Sequence, residues 1–407
     1  MSGEPEDGGM GASDAAVSGG GPTALLEPEA GVMEFAVQAD ALQVGLAAVV
    51  AGLPGKTTLP VLSHVLIETD GEHHVRLTAT DLDTTVSRRI PAVITEPGAA
   101  LVAGRKLNEI AREIPGTCML DVRLRDDQLV LWCQETRTRF KLPALPVDEF
   151  PAAPSLAWGP EDHVVSARTL AMLVERTAFA ASTEETRPIL NGVLWEFTQG
   201  EMGMVATNGH RLSATRIPAG SAPAKPEIII HPRALALVAR LPGEAEEVRV
   251  ALGPNHIGFR GDGWCVLSRV IEGPYPAYRG VIPQDNDKVL VADKALLMAA
   301  VRRMAIMASD QTHRIRMTLG AEPGTMRISV ETPDLGAAHE DLSVDYDGDP
   351  LEIGFNAQYL LEMLRYLPAG EVRMTFKAPE RAATAAPVED GTGARTEMLI
   401  MPLRLLS

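Results

Sequence analysis

The sequence predicts an α+β protein of three similar domains, each with two helices packed on antiparallel sheets. An extended start followed by a helix-like segment occurs three times in the 407 residues, and aligning Leu42, Leu170 and Leu296 gives spacings of 128 and 126. A second helix-like segment repeats in phase, as GRKLNEIAREIPG, HPRALALVARLPG and NAQYLLEMLRYLPAG. Short strands separated by turn residues, as in EVRVALGPNHIGFRGDGWCVLSRV, favour antiparallel sheet. Such a long internal period indicates a repeated domain.

The apolar periodicity predicts six helices. They span residues 40–51, 105–114, 167–179, 232–241, 293–308 and 357–367. Strand segments recur as well, because LTATDLDTTVSRRIP matches MVATNGHRLSATRIP at a spacing of 127 residues. We therefore predict domains at 33–151, 162–283 and 288–407, joined by the polar, proline-containing linkers 151–161 and 283–288.

The first 32 residues differ in composition from the rest of the chain. They contain no Lys, Arg or aromatic residue and carry six acids: Glu4, Glu6, Asp7, Asp14, Glu27 and Glu29. Few apolar residues and one sign of charge predict a disordered acidic tail over residues 1–32. Because the tail lacks the basic start and apolar stretch of a secretory signal, we expect a cytoplasmic protein. The sequence also lacks the long apolar run of a membrane-spanning helix, so we expect no membrane association.

The charge is distributed unevenly between the helices and the rest of the chain. The formal net charge is −17, yet the six predicted helices together carry eleven basic and six acidic residues. On any single helix this bias would indicate an ordinary solvated face. Because it recurs across repeats that share one orientation, we predict a weakly positive helical surface that contacts phosphate without reading base sequence.

The segment Gly55-Lys56-Thr57 resembles the end of a nucleotide-binding phosphate loop. That loop needs a glycine five positions before its second glycine, where this chain has Val50. It also follows a strand and opens a helix, whereas here a predicted helix precedes the loop and a predicted strand follows it. We therefore reject a nucleotide hydrolase and interpret Lys56 as a surface residue.

The cysteines and histidines give no sign of metal binding or catalysis. Cys118, Cys133 and Cys265 are widely scattered, without the paired spacing of metal sites, and we interpret them as buried free thiols. His210 in the NGHR segment has no partnered nucleophile in the sequence pattern. We expect no catalytic residue, no metal and no cofactor.

From Met33 to Leu405 the chain resembles the DNA polymerase III beta subunit family, the bacterial replicative sliding clamps. The resemblance rests on TTLPVLSHVLIE, TATDLDTTV, LPVDEFP, RPILNGVLWEF, VATNGHRLSATRIP, EGPYPAYRGVIP, EIGFNAQYLLEML and MPLRLL, in order through all three domains. It implies a non-enzymatic processivity factor that forms a head-to-tail homodimer ring with twelve helices around double-stranded DNA. It also implies short-peptide contacts with the polymerase III alpha subunit, the clamp loader and repair polymerases.

The resemblance and the helix charges together predict two sets of site residues. DNA contacts are expected at Lys56, Arg105, Lys106, Arg112, Arg176, Arg233, Arg240, Arg302 and Arg303. A peptide-binding pocket between the second and third domains would comprise Arg187, Leu190, Thr207, Gly209, His210, Arg211, Leu212, Pro276, Val281, Asn356, Tyr359, Leu399, Met401, Pro402, Leu403 and Arg404.

The chain departs from the family pattern at three places. Gly280 replaces a basic residue at the pocket rim, Glu184 introduces an acid near the expected DNA path, and segment 378–396 is long and low in complexity. These departures leave open an accessory, paralogous clamp with altered partners as the alternative to a replicative clamp.

Overall fold

The computed structural model describes residues 32–160, 162–184, 186–198, 200–219, 227–241, 246–309, 311–333 and 335–405. Residues 1–31, which hold nearly all of the predicted tail, lie outside this range. Within it the predicted architecture is confirmed, because three α+β domains follow one another, each with two helices and antiparallel strands.

Six α-helices of the described chain match the six predicted positions. They are α1 Ala39–Val50, α2 Gly104–Glu113, α3 Ala167–Thr177, α4 Pro232–Val238, α5 Lys294–Ala305 and α6 Ala357–Tyr366. Helix α4 ends three residues before its predicted end, because residues 239–241 continue as a turn. Helix α5 likewise ends at Ala305 rather than at residue 308.

The sequence supplies helix caps at several of these termini. The side chains of Ser166, Asp293 and Asn356 accept hydrogen bonds from the first backbone amides of α3, α5 and α6. Helices pack in pairs, and in the first domain Gln43 Nε2 of α1 donates to Ala111 O at 2.8 Å at the end of α2. Each pair thus presents one common surface.

The first domain contains β1 Met33–Gln38, β2 His64–Thr69, β3 His74–Thr80, β4 Thr84–Pro91, β5 Val93–Glu96, β6 Ala99–Ala103, β7 Met119–Arg125, β8 Gln128–Cys133 and β9 Thr138–Leu145. The second contains β10 His163–Ser166, β11 Val193–Thr198, β12 Glu201–Thr207, β13 Arg211–Pro218, β14 Glu227–Ile230, β15 Glu247–Leu252, β16 His256–Gly261 and β17 Trp264–Arg269. The third contains β18 Lys288–Asp293, β19 Arg314–Glu322, β20 Thr325–Thr332, β21 Gly336–Ser343, β22 Asp345–Asp347, β23 Leu351–Asn356, β24 Glu371–Phe376, β25 Ala383–Pro387 and β26 Arg395–Ile400.

Two of the sheets continue from one domain into the next. A thirteen-stranded sheet joins the first and second domains through the antiparallel pair β4–β17, in which Val86 lies opposite Val266. A nine-stranded sheet joins the second and third domains through β13–β26, in which Ser213 lies opposite Met398. The same connection is therefore made twice: the third strand after the first helix of one domain pairs with the third strand after the second helix of the next domain.

This rule leaves one equivalent strand edge open at each end of the described chain. In the first domain β9 pairs with β8, and it pairs with β6 only at Ala144 and Leu145. In the third domain β21 pairs with β20 alone, at the edge of a four-stranded sheet. Both edges expose backbone groups that can pair with a further strand.

The apolar interior divides at the second junction. One core cluster extends through the first and second domains, and a second fills the third domain. A smaller cluster lies between them and includes Leu194, Leu212, Tyr278 and Leu399. Among the residues described, none of the helices has the length and apolar character needed to cross a membrane.

Candidate functional site

Helix charges in the structure agree with the bias predicted from the sequence. Within their observed bounds the six helices carry ten basic and five acidic residues. Lys56, Arg112, Arg240 and Arg302 are exposed, and within the described ranges their side chains have no hydrogen bond or ion pair. These four cations are free to meet an anionic ligand.

Three further predicted DNA contacts are exposed but already have protein partners. Arg105 Nη2 donates to the backbone oxygen of Pro54 at 3.0 Å, beside the loop that carries Lys56. Lys106 pairs with the Glu109 carboxylate on the same helix. Arg303 Nε donates to Glu340 Oε2 at 2.8 Å. A phosphate would have to displace these partners or share the cation with them.

Two predicted DNA contacts are corrected by the structure. Arg176 is buried, and its Nη1 lies 2.6 Å from the Asp390 carboxylate of the third domain and 3.1 Å from Thr396 Oγ1. Arg233 reaches into the first domain, where its Nη1 donates to Asp81 Oδ2 at 2.6 Å and its Nη2 to Leu53 O at 2.6 Å. Both arginines hold domains together. Arg176 is thereby enclosed and not available to a duplex, whereas Arg233 keeps about a third of its side chain exposed, so a phosphate would have to share it with Asp81.

A tight turn between β12 and β13 forms the centre of the second junction. Gly209 N donates to Thr207 Oγ1 at 3.1 Å, and Asn208 Oδ1 accepts from His210 N at 2.9 Å and Arg211 N at 3.0 Å. Gly209 has a φ of 88°, in the left-handed region that glycine adopts without steric cost. Asn208 was not among the predicted pocket residues, although Asn-Gly is a turn signal.

Arg211 anchors this turn to the third domain. Its guanidinium lies 4.7 Å from the ring centre of Tyr359 and 5.3 Å from that of Phe179. Nη2 donates to Phe179 O at 2.6 Å, and Nη1 pairs with the carboxylate of Glu362. Burial lowers the pKa of Arg211 from its ordinary value. Phe179 and Glu362 were not predicted as site residues either, since both lie far from Arg211 in the chain.

The C-terminal segment lies between the turn and the third domain. Met401 N donates to His210 O at 2.8 Å, and the His210 ring is stacked on Tyr359 with their centres 6.3 Å apart. Leu403 N donates to Gly354 O at 2.8 Å, and Arg404 O accepts from Arg314 Nη1 at 2.9 Å. The predicted pocket residues of the second and third domains therefore meet along residues 401–404.

The predicted pocket residues divide into a buried floor and an exposed rim. Leu190, Arg211, Leu212 and Leu399 are buried and form the floor, and Leu212 and Leu399 belong to the small core cluster at the junction. The exposed members are Arg187, Gly209, His210, Pro276, Val281, Met401 and Arg404, and the partly exposed ones are Thr207, Asn356, Tyr359, Pro402 and Leu403. The result is an apolar groove with cationic groups along its rim.

Two of the scattered cysteines lie close together, contrary to the interpretation of their sequence spacing. The Sγ atoms of Cys118 and Cys133 and a carboxylate oxygen of Glu135 all lie within 4.8 Å of one another. Cys265 lies apart from them, half-buried on β17.

The edge-to-edge repetition of one α+β unit, with basic helices and a groove at a domain junction, defines a DNA-clamp-type protein. Models of the DNA polymerase III beta subunit match the chain in order: the N-terminal domain at residues 33–154, the central domain at 164–277 and the C-terminal domain at 279–404. The chain belongs to the DNA polymerase III beta subunit family.

Similar proteins and structures agree with this membership. The beta sliding clamp of Caulobacter vibrioides is 34% identical over 380 residues, and that of Escherichia coli is 32% identical over 377 residues; each match covers 92% of this chain and 100% of the relative. A Pseudomonas aeruginosa sliding clamp solved with bound griselimycin has a TM-score of 0.83 at 32% identity, again with 92% of this chain and 100% of that chain covered.

The predicted function and its non-enzymatic class are therefore confirmed. The family consists of sliding clamps, which are processivity factors without catalytic activity of their own. Membership implies DNA and a polymerase as partners, and it implies ring formation. The matches given above all carry the sliding-clamp name, and they lend no support to the accessory-clamp alternative.

Proposed function

We propose that two copies of this chain close head to tail into a ring around duplex DNA and tether the replicative polymerase to it. The repeated sheet junction is the observation that supports this most strongly. Pairs β4–β17 and β13–β26 follow one rule, and one further step of that rule joins β21 to β9 of a second copy. A contact between two different surfaces closes when its rotation completes a circle.

The two open edges are chemically complementary. β9 carries the exposed cations Arg139 and Lys141, whereas β21 carries the acids Glu340 and Asp341, which also pair with Arg303 and Arg327 of their own domain. Ile306, near β21, exposes 78% of its surface to solvent. Opposite charges favour the head-to-tail pairing over a head-to-head one, and burial of Ile306 stabilises it.

Phosphate contacts would come from the exposed helical cations and the adjoining loop. Lys56, Arg112, Arg240 and Arg302 have no competing protein partner within the described chain, so they would contribute most. Contacts of this kind neutralise phosphates without reading bases, and their affinity falls as salt is raised. A clamp that slides needs this combination.

The junction groove would dock linear peptides from the polymerase III alpha subunit, the clamp loader and repair polymerases. Methionine, proline and leucine side chains adapt to apolar anchors, and Met401 is 40% exposed in the groove. Arg187 and His210 at the rim can bind peptide carbonyl or carboxylate groups. One or two buried anchors would dominate the affinity.

Sedimentation of the full chain and of Ile306→Asp tests the ring. We expect a dimer for the wild type and a dimer weakened by about 2 kcal/mol or more for the variant, because a charge would be buried at the interface. Leu296→Asp is the matched control, since Leu296 is 62% exposed in the first turn of α5, at the opposite end of that helix from Ile306, which follows its last residue.

Retention on circular DNA completes the experiment. The wild type and Leu296→Asp should remain on closed circles and leave after linearisation, whereas Ile306→Asp should be lost from both. A wild-type monomer at micromolar concentration, or equal dimers from all three chains, would contradict closure through β9 and β21.

A further inference from the structure

Two thiols and a carboxylate lie close together in the first domain, where β7 begins and β8 ends. Cys133 ends β8 opposite Leu120 of β7, and Cys118 lies one residue before β7 begins. The turn between β8 and β9 then folds back, with Arg137 N donating to Gln134 O at 3.2 Å. This register, rather than sequence spacing, brings the Sγ atoms and the Glu135 carboxylate within 4.8 Å of one another.

The carboxylate is held in place by both strands. Glu135 Oε1 accepts from Met119 N at 3.2 Å, and Glu135 Oε2 accepts from Cys133 Sγ at 3.4 Å. Cys118 and Cys133 are buried, with 5% and 1% of their surface accessible to solvent, whereas Glu135 is exposed. The cluster therefore has two soft donors on the protein side and one hard donor on the solvent side.

We propose that Cys118, Cys133 and Glu135 bind one thiophilic divalent cation, with Zn²⁺ as the ion of matching chemistry. Tetrahedral Zn²⁺ takes sulfur at about 2.3 Å and oxygen at about 2.0–2.2 Å, which sets ligand atoms roughly 3.5–3.8 Å apart. That separation lies within the 4.8 Å limit of the cluster. Thiolate donors select against Mg²⁺ and Ca²⁺, which take oxygen ligands.

Binding would release a proton from each thiol to solvent, and a water molecule on the open side of Glu135 would supply the fourth ligand. The ion would then tie the start of β7, the end of β8 and the turn that leads into β9. Because Cys133 also pairs with Thr138 of β9, this is the turn that precedes the open strand edge.

A disulfide between the two cysteines fits the strand register less well. Cys118 lies two positions beyond Leu120, the direct partner of Cys133, so the two cysteines are diagonal neighbours. Diagonal positions in an antiparallel pair are about 7–8 Å apart, beyond the usual Cα separation of a disulfide. A bridge would require the backbone to move, whereas the ligand separations of a tetrahedral ion lie within the 4.8 Å limit of the cluster.

Cobalt titration of the full chain tests the site. The reduced protein, stripped of metal with a chelator, should bind one equivalent of Co²⁺ with thiolate-to-metal charge-transfer absorption, and Zn²⁺ should displace it. Cys133→Ser and Cys118→Ser should lose this absorption. Glu135→Gln should bind at least about tenfold more weakly, and because Glu135 is exposed this variant keeps the core intact.

Cys265→Ser is the matched control and should bind Co²⁺ as the wild type does, because it removes a thiol outside the cluster. Circular dichroism of each variant verifies the fold, and Cys133→Ala replaces the serine variant if that one unfolds. A wild type without thiolate-to-cobalt absorption would overturn the proposal. Equal binding by the Cys118→Ser/Cys133→Ser double variant, or a Cys118–Cys133 disulfide that forms despite saturating Zn²⁺, would also overturn it.

Discussion

The two domain junctions use the same turn but differ in the residue at its tip. Leu82 N donates to Thr80 Oγ1 at 3.1 Å in the first junction, and Gly209 N donates to Thr207 Oγ1 at 3.1 Å in the second. Both tip residues adopt the left-handed backbone conformation, with a φ of 80° at Leu82 and 88° at Gly209. Leucine costs about 1–2 kcal/mol in this conformation and glycine does not. The first turn therefore carries backbone strain, whereas the second carries none and has no side chain at its tip.

The side-chain contacts of the two turns also differ. Asp81 in the first turn binds Arg233 of the second domain at 2.6 Å, so that turn is used to join domains. In the second turn a Cβ on Gly209 would lie 3.4 Å from Arg187 Nη1, an ordinary contact with a flexible side chain, so the left-handed φ rather than lack of space favours glycine there. Both turns thus contact a neighbouring domain, the first through Asp81 and the second through Arg211, and only the second has no side chain at its tip.

A glutamate at the same strand position also behaves differently at the two junctions. Glu196 is buried and accepts hydrogen bonds from Tyr278 Oη at 2.6 Å and Arg279 Nη2 at 3.1 Å. Its equivalent, Glu68, lines a cavity of about 730 Å³ at the first junction. Burial raises the pKa of Glu68, although the charge of Arg76 partly offsets this. Glu196 at the second junction is therefore held by polar contacts, whereas Glu68 at the first faces a cavity.

The largest effect is expected at the Arg176–Asp390 pair of the second junction. Its side chains are 9% and 11% exposed, so Arg176→Ala leaves a buried carboxylate unpaired and should lower the free energy of unfolding by about 3–5 kcal/mol. Arg269→Ala is the control at the first junction, because the Arg269–Asp83 pair is exposed and 3.9 Å apart and should contribute at most about 1 kcal/mol. Urea denaturation measures both, and similar losses would remove the contrast between the junctions.

The Arg176–Asp390 pair should also make the free energy of unfolding depend on pH in the acidic range. Burial alone would raise the pKa of Asp390, but hydrogen bonds from Arg176 and Thr392 and the charge of Arg176 outweigh it, so this pKa is lowered. A lowered pKa contributes stability above the unfolded value of about 3.9, and this stability is lost as pH falls through the folded value. The stability difference between the wild type and Asp390→Asn should therefore shrink below pH of about 4.

Replacing each of the two glutamates by glutamine should change the free energy of unfolding by different, intermediate amounts. Glu196→Gln removes the negative charge that holds Arg216, Arg279 and Tyr278, and we expect a loss of about 1.5–3 kcal/mol. Glu68→Gln should be neutral or slightly stabilising, because the raised pKa means that the charged form costs stability above that pKa. Thermal unfolding at neutral pH compares the pair; a destabilised Glu68→Gln would mean that the first junction also depends on its buried acid.

The smallest effects are expected at the two turn tips. Leu82→Gly should stabilise the fold by less than about 1 kcal/mol, since relief of strain is partly offset by the greater freedom of the unfolded chain. Gly209→Ala should destabilise it by about 1 kcal/mol and also weaken binding of a polymerase-tail peptide measured by calorimetry. Unchanged peptide affinity in a folded Gly209→Ala protein would indicate that the bare tip does not serve the groove.

The sequence predicted those features that depend on short-range pattern. The repeat located all six helices, with starts within one residue of those observed, because apolar periodicity and capping residues such as Ser166 and Asp293 act locally. It did not predict where each helical arginine points. Arg176 has its partner 214 residues away, so its burial depends on a domain contact that no local pattern records.

The cysteine cluster was missed for a related reason. Cys118 and Cys133 are separated by a hairpin, and only its register decides whether their side chains meet. The groove residues were predicted through family resemblance, yet their division into floor and rim follows from burial. Leu212 and Leu399 read like any strand residues, and only the sheet that crosses the junction places them beneath the groove.

The open edges of β9 and β21 also carry a risk of uncontrolled polymerisation. Each presents unsatisfied backbone groups and a complementary partner on every other copy, which is the condition for an endless filament. The curvature accumulated over three domains determines whether successive copies meet or spiral past one another. A change in bend at either internal junction, even without any change at the edges themselves, would therefore convert a closed circle into a helical fibre.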